Sequence, residues 1–344
     1  MAQILANPFC GVGLDHPELQ DVPWPSVDSA APRALLARCP RAAVTPLTPS
    51  AGLARALGVA TVTVKDERTR MGLGSFKALG AAYVIACDAA AGTAQGRTYV
   101  TASAGNHGLS VAAGAAVFGA VADIFLADTV PESFANRLRD AGAHVHRAGA
   151  DYEASMAAAT AHADAHGAAL LSDSSWAGYT ARPHRLMEGY LALMAEVFEQ
   201  IAAPPTHLFL QAGVGGLAGA AAAAARQRWG DVTQVIVVEP EAAPCLFASI
   251  KAGAPVTAPG PTSAMGRLDC KVASLIALKG LARDADAFMA ISEAEGDSGA
   301  AVAAAHGFAS TPSGAAGLSG AMTGAVAMGP DARVLVILSE TGDA

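Results

Sequence analysis

The chain has 344 residues, is 52% hydrophobic and 5% aromatic, and carries 22 Lys and Arg against 30 Asp and Glu, a formal charge of −8. The acidic balance excludes a phosphate-tracking nucleic-acid surface, and the apolar content supplies a large core, which excludes bulk disorder. Apolar runs are short: Leu217 to Ala225 is closed by Arg226 and Arg228, far below the roughly 20 residues of a membrane-spanning helix, so no membrane partner is expected.

Taken in chain order, the first 50 residues are Pro-rich and read as an irregular segment wrapping the surface. The N-terminus has no basic n-region and no sustained apolar stretch, so a cytoplasmic location is expected. Short β-rich runs then alternate with Ala-rich helical stretches. A strand Thr61 to Val64 precedes a helix after Ser75, a strand Thr98 to Thr101 a helix after His107, and a strand Ala122 to Leu126 a helix after Pro131. A strand near His144 to His146, a helix Glu153 to His166, a strand Ala169 to Ser172 and a helix Arg185 to Gln200 follow. The second half adds a strand Thr206 to Gln211, a helix Leu217 to Trp229, a strand Val232 to Val238, a helix after Ser313 and a strand Arg333 to Leu338. Strands joined by helix-length crossovers predict parallel βαβ units and an α/β fold covered on both faces. In such sheets ligands sit beyond the carboxyl ends of the strands, which directs attention to the loops after Val64, Thr101, Ser172, Gln211 and Leu338.

The loop after Gln211 reads Ala212-Gly213-Val214-Gly215-Gly216-Leu217-Ala218-Gly219 and runs into an Ala-rich helix. Glycines let backbone N–H groups approach an anion, and the helix start adds partial positive charge, so a phosphate is the expected guest. Gly213-x-Gly215-x-x-Ala218, with Glu239 ending the next strand, also meets a loose nicotinamide-binding pattern, and tight strand-to-helix packing is the bland alternative. The loop after the first strand, Lys65-Asp-Glu-Arg-Thr-Arg-Met-Gly-Leu-Gly-Ser-Phe-Lys77-Ala-Leu-Gly80, holds two of only five lysines. Lys77 opens an apolar helix, where burial and the helix dipole disfavour its ammonium form, as an imine-forming amine requires; the alternative is a snorkelling surface lysine. Thr101-Ala-Ser-Ala-Gly-Asn-His-Gly108 ends a strand and opens a helix, with N–H groups and the Ser103 and Asn106 side chains suited to a carboxylate.

Together with Ser172-Asp-Ser-Ser-Trp-Ala-Gly-Tyr179, Val238-Glu-Pro240 and Leu338-Ser-Glu-Thr-Gly342, these segments resemble the fold-type II pyridoxal 5'-phosphate enzymes, which include tryptophan synthase β and threonine dehydratase. The resemblance is nearest to diaminopropionate ammonia-lyases. It implies two open, twisted, mainly parallel sheets covered by helices, with a small mobile substrate-binding domain, 99–185, inserted in a larger cofactor domain, 1–98 and 186–344. It makes Lys77 the Schiff-base lysine and Phe76 the residue beside the cofactor ring. Asn106 would meet the 3'-oxygen, Gly213, Val214, Gly215, Gly216 and Leu217 the phosphate, and Ser339 the pyridine nitrogen. Ser103, Ala104, Gly105 and His107 would hold the substrate carboxylate, and either Asp173 or Lys77 would act as base at Cα.

Two departures stand out. Related ammonia-lyases carry Thr-Asp-Gly-Asn-His-Gly where this chain has Ser103-Ala-Gly-Asn-His-Gly, so Ala104 replaces an acid and processing of a D-isomer is not expected. Where those enzymes tend to show Cys-Gly-Glu, this chain reads Leu268-Asp-Cys-Lys271; Lys271, if it faces the pocket, favours an anionic leaving group over an amine. The implied activity is α,β-elimination on a small L-amino acid such as 2,3-diaminopropionate, to a 2-oxo acid and ammonia. The alternatives are a hydroxy-amino-acid dehydratase and a non-catalytic cofactor-binding protein, and a homodimer is the implied assembly. The five cysteines lack a Cys-x-x-Cys pair and read as free thiols. His162-x-x-x-His166 and His144-x-His146 lack the companions of a metal site, so no metal is expected.

Overall fold

A computed structural model describes residues 2–342. Eleven strands are present among them: β1 Gln3–Ala6, β2 Leu47–Pro49, β3 Thr61–Asp66, β4 Thr98–Ala102, β5 Val121–Leu126, β6 His144–Arg147, β7 Ala169–Leu170, β8 His207–Gln211, β9 Gln234–Pro240, β10 Ala287–Ile291 and β11 Arg333–Leu338. They form two sheets, one of seven strands in the order β1-β10-β9-β8-β11-β3-β2 and one of four in the order β6-β5-β4-β7. The small sheet is parallel throughout. In the large sheet β10 to β3 run parallel, and only the edge strands β1 and β2 pair antiparallel.

The α/β architecture with two mainly parallel sheets follows the sequence reading, and its cause is visible in burial. In β11, Val334 to Leu338 are all buried, as are Phe288 to Ile291 in β10, the near-continuous apolar runs of strands covered on both faces. Helix Gly216–Trp229 has no apolar stripe because it is buried nearly all round, with Ala220 to Ala225 all buried. Alanine and glycine permit the close approach this needs: a Cβ on Gly219 would stand 3.1 Å from Met187 Cε and 3.3 Å from Ala277 Cα. The Ala richness of the chain is thus a packing device between this helix and its neighbours Ala181–Gln200 and Leu275–Asp284.

Several elements differ from expectation. The first 50 residues are not wholly irregular: β1 and β2 close the two edges of the large sheet, and a short helix spans Ala30–Leu36. Helices Cys245–Ala252, Leu275–Asp284 and Glu293–Ala305 and strand β10 add to the expected elements. The last of these helices carries a complete Ser292/Glu295 capping box, a signal the sequence does offer. The strand expected from Val232 begins at Gln234, because Gly230–Val232 forms a 3-10 turn. The long helix begins at Ala181, four residues early, with Pro183 tolerated in its first turn. Three of the histidines gather round a buried carboxylate: Asp123 faces His144 Nδ1 at 3.2 Å and His162 Nε2 at 3.0 Å, with His146 Nε2 at 3.5 Å.

A buried ionic cluster ties β3 to helix Ala181–Gln200. Arg70, inaccessible to solvent, donates to Glu67 through Nε at 2.7 Å and Nη2 at 2.7 Å, and to Glu196 through Nη1 at 2.8 Å and Nη2 at 2.7 Å. Lys65 Nζ donates to the same Glu196 at 2.6 Å and to Thr45 O at 2.8 Å. Two cations and two anions out of water require this degree of mutual satisfaction. The cluster fixes the segment that leads from β3 to Lys77.

Candidate active site

The carboxyl ends of β3, β4, β7, β8 and β11 supply the site. Beyond β3 the chain turns through Gly72 and Gly74, both at positive φ, and is pinned to the end of β11: Phe76 N donates to Ser339 O at 3.0 Å and Thr341 N to Gly74 O at 2.9 Å. Ser75 caps the 3-10 turn Phe76–Leu79, accepting from Lys77 N at 3.3 Å. This turn carries Lys77, whose Nζ lies 2.5 Å from Asp173 Oδ2 and 5.3 Å from the centroid of Phe76.

Asp173 is held by what flanks it. Ser172 N donates to the Tyr179 hydroxyl at 3.0 Å, which in turn donates to Leu170 O at 2.8 Å. Ser175 N donates to Ser274 Oγ at 3.1 Å, so the loop after β7 is clamped to the start of helix Leu275–Asp284. Burial by itself pushes the Asp173 carboxyl up, but the Lys77 charge outweighs it and holds the acid well below the usual carboxylate range. For Lys77, burial acts to depress the ammonium, and Asp173 overcomes it and holds the group well above an ordinary lysine. The expectation of a depressed ammonium is therefore corrected: apolar surroundings are present, and an adjacent carboxylate reverses their effect.

Opposite stands the glycine loop. Gly215, at φ +95°, is the N-cap of helix Gly216–Trp229 and no side chain caps it, so the first N–H groups of the helix, from Gly216 and Leu217 onward, keep their donors for an anion. Space is tight at both glycines: a Cβ on Gly213 would stand 3.0 Å from Cys270 Sγ, and one on Gly215, already at positive φ, 2.9 Å from Ala277 Cβ. The next strand supports the loop, since Glu239 is fully buried and accepts from Leu246 N at 2.8 Å and Phe247 N at 2.7 Å, while Cys245 Sγ donates to Gly213 O at 3.4 Å.

Beyond β4, Gly105 N-caps helix Asn106–Val117, again with no side-chain cap, and Ser103 Oγ accepts from Gly105 N at 3.3 Å. Ala104 lies partly buried against the apolar core. His107 Nε2 meets Leu171 O at 2.8 Å, and its Nδ1 is buried without a partner. Burial holds this imidazole below its ordinary value; neutral, with Nε2–H donating, its Nδ1 is an acceptor, so His107 can serve a carboxylate only through its backbone N–H. Ser339 is buried at the end of β11.

Asn106 and Lys271 differ from the simple picture. Asn106 Nδ2 donates to Glu340 Oε2 at 2.6 Å. Lys271 donates to Ala242 O at 2.7 Å, in the turn after β9, and to Pro261 O at 2.6 Å and Asp269 Oδ1 at 2.8 Å; these three contacts engage its hydrogens, so the condition for a role in the pocket, that it face a substrate, is not met by this arrangement. Residues given no role by the sequence also join the site. Tyr190, on helix Ala181–Gln200, packs its ring 4.9 Å from Phe76, and its hydroxyl is buried without a partner and pushed up to about 12 by that burial. Cys270 lies against Gly213 and is pushed up to about 12, by burial and then by Asp173. Neither sits in a distinctive local pattern.

An uncapped glycine helix start, a lysine paired to an acid, and buried polar atoms left without partners between them form a receptacle for a phosphorylated group that engages an amine. Such a receptacle at the strand ends of an open α/β fold defines a coenzyme-binding enzyme. The chain belongs to the pyridoxal-phosphate dependent enzyme family, whose profile matches residues 40–340, and its cofactor is pyridoxal phosphate. It is 35% identical over 237 residues to a diaminopropionate ammonia-lyase of Salmonella typhimurium, covering 62% of this chain and 59% of that protein. It is 31% identical over 238 residues to a human serine dehydratase-like protein, covering 69% and 68%. The fold superposes with a TM-score of 0.88 on diaminopropionate ammonia lyase from Escherichia coli in complex with an aminoacrylate-PLP azomethine reaction intermediate, at 28% identity over 99% of this chain and 94% of that one. The chain spans 59% of the length of the Salmonella relative and 56% of its Escherichia coli counterpart.

Proposed function

We propose that the protein is a lyase that removes the Cα proton and the β-substituent from a small L-amino acid of the 2,3-diaminopropionate type, giving a 2-oxo acid and ammonia. The observation that carries this reading is the 2.5 Å contact between Lys77 Nζ and Asp173 Oδ2, which places a lysine and a carboxylate at one point, where a proton can pass between them. Similarity to diaminopropionate ammonia-lyases supports it.

In this reading Gly213, Val214, Gly215, Gly216 and Leu217 hold the phosphate through backbone N–H groups. Asn106 would face the 3'-oxygen and Ser339 the pyridine nitrogen, with Phe76 beside the ring. Lys77 would be the covalent attachment point. The backbone from Ser103 through Ala104 and Gly105 to His107 binds the substrate carboxylate and so fixes which Cα bond stands ready to break. When bound, pyridoxal phosphate supplies a conjugated ring that accepts the electron pair left at Cα. A hydroxyl at Ser339 makes that ring a weaker sink than a carboxylate would. Lys77 or Asp173 takes the Cα proton: a neutral Lys77 becomes an ammonium that the Asp173 carboxylate stabilises, whereas Asp173 becomes a neutral acid beside Lys77. The β-substituent leaves with its bonding pair, and the released enamine hydrolyses in water. With Ala104 in place of an acid, the opposite Cα face has no second proton acceptor from this loop. Residues 99–185 form the small domain that closes over the substrate.

With Lys271 engaged by Ala242, Pro261 and Asp269, its charge is not offered to a β-carboxylate on the substrate, which favours the diamine over 3-hydroxyaspartate. Glu239, which caps helix Cys245–Ala252, is not available to a nicotinamide ribose. Product stoichiometry tests the reading. Two ammonia molecules per 2-oxo acid from L-2,3-diaminopropionate, with slower turnover of L-serine and none of the D-isomers, is the expected result. Preferred turnover of serine or threonine with one ammonia each would replace it with a dehydratase, and absence of turnover across these amino acids with a non-catalytic binding protein.

A homodimer is part of the proposal. An apolar groove of about 500 Å³, walled by Leu36, Leu73, Leu79, Tyr83 and Phe118, and the neighbouring Val117, 73% exposed, give a second copy a surface to cover. Light scattering is expected to give twice the chain mass.

A further inference from the structure

One buried carboxylate joins the parts that the catalytic residues do not. Glu340, two residues beyond β11 and 4% exposed, accepts from Asn106 Nδ2 at 2.6 Å and faces Arg267 Nε at 3.0 Å with the same oxygen. Its other oxygen accepts from the Thr311 hydroxyl, which also caps helix Pro312–Met322 through Gly314 N at 2.9 Å. The side chain is packed in place: a Cβ on Gly314 would stand 2.7 Å from Glu340 Cγ. Its backbone is fixed as well, by Ser310 Oγ donating to Glu340 O at 2.6 Å and by the bridge to Ser75, two residues before Lys77.

An asparagine amide has two faces of nearly equal shape and opposite polarity, so its function depends on what prevents it from turning over. A carboxylate beside it does this, because the flipped amide would set Oδ1 against the Glu340 oxygens with no proton between them. We infer that Glu340 is a positioning residue that fixes the Asn106 amide with its nitrogen forward, so that the second Nδ2 hydrogen is the donor offered to the cofactor's 3'-oxygen. The inference rests on the assignment of Asn106 made under the proposed function. Arg267 balances the buried charge and Thr311 sets its height, so the amide is held from the large sheet although Asn106 itself opens a helix that follows the small one.

The test uses the visible absorbance of the protein with bound pyridoxal phosphate and its titration, together with cofactor affinity from fluorescence. E340Q is isosteric but offers the amide either polarity, so its band and titration midpoint are expected to move in the same direction as those of N106A. Its cofactor dissociation constant is expected to rise about tenfold, the scale of one well-placed hydrogen bond. The double variant is expected to move no further than N106A alone. An E340Q spectrum and affinity equal to the parent while N106A changes, or shifts that add in the double variant, would overturn the inference. Should E340Q fail to fold, N106D gives a second measurement: with two carboxylates face to face, cofactor binding is expected to fall below that of N106A, and equal binding overturns the inference. A parent protein with no visible band that disappears in K77A would overturn the reading of the site as well.

Discussion

Lys77→Ala is expected to lower turnover by more than about 10³-fold, the scale of losing a nucleophile together with a proton carrier, and to abolish the visible band of the bound cofactor. The phosphate should still bind, because the glycine loop and the uncapped helix start Gly216–Trp229 do not involve Lys77. Asp173 should respond too, its carboxyl rising from its depressed state once the ammonium 2.5 Å away is gone. Asp173→Asn separates the two candidate bases. If Asp173 takes the Cα proton, this variant keeps the band and loses turnover; if Lys77 does, turnover falls modestly and its pH dependence changes. A Lys77→Ala protein that keeps both band and turnover would refute the assignment of the lysine.

Arg70→Ala is expected to have the largest effect on stability. Its guanidinium has no contact with solvent and makes four bonds to the Glu67 and Glu196 carboxylates. Removing it leaves two acids buried, with Lys65 the remaining cation, a change of about 3–5 kcal/mol. Urea unfolding should show this loss at neutral pH. Glu196 fixes the sign of the pH dependence: burial pushes its carboxyl up, Arg70 and Lys65 outweigh that, and the folded value lies below the ordinary one of 4.5. Its contribution is therefore present above the ordinary carboxylate value and is lost as pH falls through the depressed folded value. In the variant that part of the acid lability should be smaller. Since the Arg70–Gly72 turn leads into Lys77, a parallel fall in cofactor retention is expected; an R70A protein as stable as its parent would show that the cluster is not needed.

Much of this is legible in the sequence because strand ends in an open parallel sheet must carry the chemistry. The loops after Val64, Thr101, Ser172, Gln211 and Leu338 do meet, and Lys77 and Asp173, separated by 96 positions, touch. The electrostatic sense of Lys77 is not legible there: burial is a local property of its turn, whereas the carboxylate that reverses it arrives from the other sheet. For Lys271 the motif position leaves open whether the charge faces the pocket, because the carbonyls of Ala242 and Pro261 that engage it lie 29 and 10 positions away. Strand β10, Ala-Phe-Met-Ala-Ile, lacks the β-branched run that marks a strand; β1 is only four residues long, and β2 ends in Pro49, which an edge strand tolerates. Glu340 lies within a segment read for its neighbour Ser339, and nothing in one sequence shows that it faces Asn106, 234 positions away.

The central claim is that position 77 holds the cofactor. Borohydride reduction of the purified protein with bound pyridoxal phosphate, followed by proteolysis and peptide mass mapping, reads that bond directly. A phosphopyridoxyl group on the peptide containing Lys77 is predicted; a stable adduct on Lys65, Lys251, Lys271 or Lys279 instead, or none on any lysine, would contradict the account.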